Sequence, residues 1–102
     1  MEIELLYWAG CPSHPAALAD LHAALAEQGL TAEITLTEVR TDRDARERGF
    51  IGSPTIRVDG EDLFGTGAEP PALTCRVYRL GDGRFSPTPD PKELRELLAA
   101  RH

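Results

Sequence analysis

Between Ile3 and Val39 the apolar period changes twice, and that change constrains the fold more than any other feature of the chain. Ile3 to Trp8 (I-E-L-L-Y-W) is nearly continuous in apolar residues after Glu4, as a strand covered on both faces would be. Ala9-Gly10-Cys11-Pro12 breaks it. Leu18, Leu21 and Leu25, with alanines between them, then repeat at helical spacing until Gly29 supplies a stop. Pro12 or Pro15 fits the first turn of that helix, where a missing amide proton costs nothing. Ala32 to Val39 alternates polar and apolar with β-branched residues, a strand pattern. Strand, helix and strand in this order predict a parallel pair joined by a right-handed crossover.

The rest of the chain adds to this unit. Thr41 to Gly49 reads as a short helix, capped by Thr41 or Asp42 and ended by Gly49, whose mixed charges form a solvated face. Phe50 to Pro54 is a turn and Thr55 to Val58 a strand. Asp59-Gly60 predicts a hairpin that returns Glu61 to Phe64 antiparallel. Gly65 to Thr74 is a Gly- and Pro-containing loop, and Cys75 to Leu80 reads as a further strand turning at Gly81-Asp82-Gly83. Asp90-Pro91-Lys92-Glu93 is a helix start, and the helix carries Leu94, Leu97 and Leu98 to the end of the chain. The expected fold is α/β: a central mixed sheet flanked by helices. It occupies a single domain, residues 1–102, with an inserted loop and strand at about 65–89.

Composition narrows the function classes. At 102 residues the chain has the length of one domain, and 41% hydrophobic with 27% charged residues is a globular balance. Seventeen acids against eleven bases give a net charge of −6, which argues against nucleic acid as a partner. No window approaches the roughly 18 apolar residues of a membrane span. With no basic leader ahead of Cys11, a cytoplasmic setting is expected. Two cysteines in a reducing compartment are more often catalytic or metal-binding than structural. There is no asparagine, so neither N-glycosylation nor a catalytic Asn is available. Phosphate-loop, zinc-hydrolase and serine-elbow motifs are absent.

Cys11 is the most informative residue. At a strand-to-helix junction its sulfur is expected at the helix amino terminus, where unpaired amides and the macrodipole favour a thiolate and lower its pKa. His14, one turn on, would add a favourable charge when ionised. The alternative is a buried Cys used as a small apolar filler.

Tyr7-Trp8-Ala9-Gly10-Cys11-Pro12-Ser13-His14, followed by Gly52-Ser53-Pro54-Thr55-Ile56, resembles the thioredoxin/glutaredoxin superfamily. The hairpin residues Val58-Asp59-Gly60 are similar to the glutaredoxin type. The resemblance covers residues 2 to about 64 and the last helix. It implies a thioredoxin-like fold and a thiol–disulfide oxidoreductase, with Cys11 as nucleophile and Pro54 as a cis-proline opposite it. It also implies that the backbone of Ser53 would pair with a bound thiol or peptide substrate. Trp8 and Pro12 complete the implied substrate groove, and no cofactor is implied. The partners would be a small thiol or disulfide such as glutathione, or a protein disulfide.

The chain departs from the family where C-P-S-H replaces C-x-x-C. A monothiol route, with an outside thiol resolving the mixed disulfide, is the simplest answer. Cys75 offers another if the loop returns it to Cys11, which requires α-carbons within about 7 Å; otherwise Cys75 is strand filler beside Val77. Two other classes stay open. One is a soft-metal or organomercurial handler using the thiols, with His14 and His22 as further donors. The other is a binding module without redox turnover.

Overall fold

The computed structural model describes residues 1–65 and 70–101. Strand β1 (Glu2–Tyr7) leads through helix α1 (His14–Glu27) to β2 (Glu33–Glu38), and helix α2 (Asp42–Arg48) leads to β3 (Thr55–Val58) and β4 (Glu61–Asp62). A separate ladder pairs β5 (Tyr78–Arg79) with β6 (Phe85–Ser86), and α3 (Pro91–Arg101) follows. The main sheet has the order β2-β1-β3-β4. β1 runs parallel to β2, with Ile3 opposite Ile34, and antiparallel to β3, with Leu6 opposite Thr55. The described residues therefore form a mixed α/β protein with a mixed four-stranded sheet and three helices. Among the described residues no helix is long and apolar enough to cross a membrane.

The continuous apolar run of β1 has a direct explanation. Side chains alternate across a strand, and both faces of this one are covered. Ile3 and Leu5 pack with Ile56, Val58, and the buried sides of α1 (Ala17, Leu21, Leu25) and α3 (Leu94, Leu98). Leu6 points the other way and packs with Val39, Ala45 of α2 and Phe50.

Local signals set the ends of these elements. The Thr41 hydroxyl accepts from Asp44 N–H at 3.0 Å and caps α2, which Gly49 ends in the left-handed region at φ 66°. Arg57 Nη2 donates to the carbonyls of Arg48 and Gly49 at 2.7 and 3.3 Å, tying the end of α2 to β3. Asp90 Oδ1 accepts from Lys92 N–H at 2.9 Å at the start of α3.

The region after the Asp59-Gly60 hairpin differs from expectation. β4 has only two residues, because Phe64 N–H turns inward onto Asp62 Oδ1 at 3.0 Å. The strand expected over Cys75 to Leu80 shrinks to Tyr78–Arg79, and β6 was not expected at all. Residues 74–76 join no strand: their backbone partner is Ser53, which Cys75 meets in an isolated parallel bridge. Val77 is 65% exposed and Cys75 is exposed, so Cys75 is not buried filler. Part of the expected loop, residues 66–69, lies outside the described residues.

Candidate functional site

The site is built where the loop after β1 meets the turn before β3. Trp8 O accepts from Cys11 N–H at 3.0 Å, closing a tight turn through Ala9 and Gly10. A Cβ at Gly10 would stand 2.4 Å from the Trp8 ring, so glycine lets that ring fold back. Trp8 is half-buried against the Leu6–Phe50 cluster together with Leu73. Cys11 is 3% exposed, whereas Pro12 is exposed.

Cys11 is covalently joined to Cys75 across a sequence separation of 64, with the α-carbons 5.6 Å apart. Of the two readings of Cys75, the structure realises the one that brings it within reach.

Cys11 stands two residues ahead of the N-cap Ser13, somewhat outside the helix start expected for it. Ser13 makes no capping bond. Its hydroxyl lies 3.6 Å from Cys11 Sγ instead. The other polar neighbour of this sulfur is the Ser53 carbonyl at 3.8 Å. His14 takes a different place. Its ring stacks on Tyr7, with centroids 4.1 Å apart and planes 17° apart, and its buried Nδ1 has no hydrogen-bond partner. Among the described residues the only other buried side-chain polar atom without a partner is Ser53 Oγ. The Ser53 orphan belongs to a residue whose carbonyl neighbours Cys11 Sγ, and unpaired buried groups are uncommon enough to mark a site.

The Ser53–Pro54 peptide is cis. The Ser53 backbone, which the family resemblance would leave for a substrate, is engaged by the chain itself. Ser53 N–H donates to Thr74 O at 2.8 Å, and Arg76 N–H donates to Ser53 O at 2.9 Å. A Cβ at Gly52, whose φ is 149°, would stand 2.8 Å from Arg76 Cβ, so glycine permits this close approach.

Three residues not singled out in the sequence hold the Cys75 segment down. Arg76 is 8% exposed and forms a two-pronged ion pair with Asp62, at 2.7 and 3.2 Å. Its guanidinium also lies 4.6 Å from the centroid of the Tyr78 ring. The Tyr78 hydroxyl donates to the Pro54 carbonyl, and burial pushes its phenol well above the ordinary tyrosine range. Only the adjacency of Arg76 to Cys75 could have flagged this set, since an arginine ordinarily reads as surface.

Beside Cys75 opens a cleft of about 400 Å³, whose walls include Phe64, Arg79, Asp90 and Glu93. Among the described residues no three His, Cys, Asp or Glu side chains converge on a point that could hold a metal, so Cys11, Cys75, His14 and His22 do not form one donor set. His22 is exposed on α1.

No family model matches the chain, and neither a curated protein nor a solved structure matches it.

Proposed function

We propose that the protein is a thiol–disulfide oxidoreductase with a thioredoxin-like fold, in which Cys11 is the nucleophile and Cys75 the resolving thiol. The observation that carries this reading is the Cys11–Cys75 bond between two loops far apart in sequence. The approach of the Ser53 carbonyl to Cys11 Sγ and the placing of helices on both faces of the sheet support the same reading. A cytoplasmic setting suits it, because a disulfide in a reducing compartment is more often catalytic than structural.

In the reduced protein the Cys11 thiolate attacks one sulfur of a substrate disulfide and expels the other half as a thiolate. Cys75, deprotonated, then attacks Cys11 Sγ in the mixed disulfide, releases the second half and forms the Cys11–Cys75 bond. The substrate gains two electrons and two protons. Ser13 offers a hydroxyl hydrogen to the Cys11 thiolate, and the Ser53 carbonyl lies 3.8 Å from the same sulfur.

The test is reduction of a small aromatic disulfide by the reduced protein. Cys11→Ser should abolish turnover, and Cys75→Ser should leave the mixed disulfide standing on Cys11, where peptide mass mapping finds it. A reduced protein whose Cys11 resists alkylation at neutral pH would overturn the reading.

The same geometry favours one second reading. Two thiols whose α-carbons stand 5.6 Å apart also suit a soft, low-coordinate cation such as mercury or copper(I). Stoichiometric mercury binding by both thiols, with poor disulfide reduction, would decide for it. The missing second cysteine of C-x-x-C suggests a binding module without redox turnover, and the placing of Cys75 against Cys11 weighs against that reading.

A further inference from the structure

We propose that the reductant that regenerates the protein enters at Cys75 rather than at Cys11, and that it is a low-molecular-weight thiol carrying both carboxylate and ammonium groups. This rests on the oxidoreductase reading and adds which sulfur is attacked, and where. The two sulfurs of the bond are unequal. Cys11 is 3% exposed, whereas Cys75 is exposed and lines the cleft of about 400 Å³. That volume matches a small ligand rather than a protein surface. The cleft also presents opposite charges, its lining including Arg79 together with Glu93 and Asp90. Arg79 and Glu93 take part in no ion pair among the described residues. A zwitterionic thiol would place a carboxylate on Arg79 and its ammonium on Glu93.

The leaving group agrees with this direction. Exchange is faster when the departing sulfur is the better-stabilised thiolate. Attack on Cys75 expels Cys11, whose sulfur has the Ser13 hydroxyl 3.6 Å away. In the first step RS⁻ bonds to Cys75 Sγ, the Cys11–Cys75 bond breaks, and Cys11 leaves with the electron pair as thiolate. In the second, another RS⁻ attacks the thiol-derived sulfur of the mixed disulfide, releasing RSSR and the Cys75 thiolate. Two thiols are oxidised, the protein disulfide is reduced, and the two protons given up by the thiols end on Cys11 and Cys75. Cys11 thereby emerges reduced, and on losing its proton it is the thiolate that attacks the next substrate.

The oxidised full-length protein is mixed with glutathione, quenched in acid at partial reduction, blocked at its free thiols and peptide-mapped. The glutathione adduct is expected on Cys75 in at least tenfold excess over Cys11. Arg79→Glu should slow reduction by glutathione about three- to tenfold while leaving reduction by uncharged 2-mercaptoethanol unchanged. An adduct mainly on Cys11, or an equal loss with both thiols, overturns this inference and leaves the oxidoreductase reading standing. A disulfide that never forms in the oxidised protein, or that neither thiol reduces, overturns both.

Discussion

Ser13 occupies the N-cap of α1, where a serine hydroxyl ordinarily accepts from the N2 or N3 amide. Here N2 is Pro15, which has no N–H, and Ser13 itself adopts helical dihedrals of −85° and −11°. The hydroxyl is released from capping and turns to Cys11 Sγ. Its removal should act on the sulfur rather than on the helix. Ser13→Ala is expected to slow iodoacetamide alkylation of Cys11 in the reduced protein several-fold at neutral pH, with little change in Tm. A fall in Tm with an unchanged alkylation rate would assign Ser13 to the helix instead. His14 is held by Tyr7 stacking, so at this scale the hydroxyl, rather than the imidazole, faces the reactive atom.

At the scale of elements, Asp90 joins two of them. One carboxylate oxygen accepts from Lys92 N–H at the start of α3, and the other accepts from Gly81 N–H at 3.0 Å in the turn between β5 and β6. These bonds, that from Gly81 foremost, hold the Asp90 carboxyl below the usual carboxylate range. A depressed folded-state value contributes stability that is present above the unfolded value of about 3.9 and is lost as pH falls through the folded one. Asp90→Ala should therefore lower the urea midpoint at pH 7, and its deficit against the parent should shrink at pH 3. The start of α3 was legible because capping chemistry is local, and the same holds for Thr41 and Gly49 around α2. α1 was legible because it buries a periodic face, β1 because its apolar run is covered on both faces, and β2 from its alternation alone, since none of its own residues is fully buried. β5, β6 and the course of residues 74–76 were not, because what holds them is the Ser53 backbone and the Asp62–Arg76 pair, neither of which leaves a period in the sequence. The site followed the same division. Cys11, Ser53, Pro54 and Cys75 could be named from motif and spacing, whereas Asp62, Arg76 and Tyr78 meet only through the tertiary path of the chain.

For the molecule as a whole, the Asp62–Arg76 pair fastens the segment bearing Cys75 to the edge of the main sheet. Because Arg76 is nearly buried, removing its partner leaves a guanidinium without compensation. Asp62→Ala is expected to cost about 3 to 5 kcal/mol, read from urea unfolding under oxidising conditions; a cost below about 1 kcal/mol would mean that water reaches Arg76 freely. The contacts that hold that segment are made by atoms other than the two sulfurs: Ser53 pairs with Thr74 and Arg76, and the Tyr78 hydroxyl donates to the Pro54 carbonyl. Cys75 therefore faces Cys11 as a tethered neighbour at an effective concentration set by the fold. Ring closure is first order and indifferent to protein concentration, and any external thiol that captures Cys11 must outrun a competitor already in place.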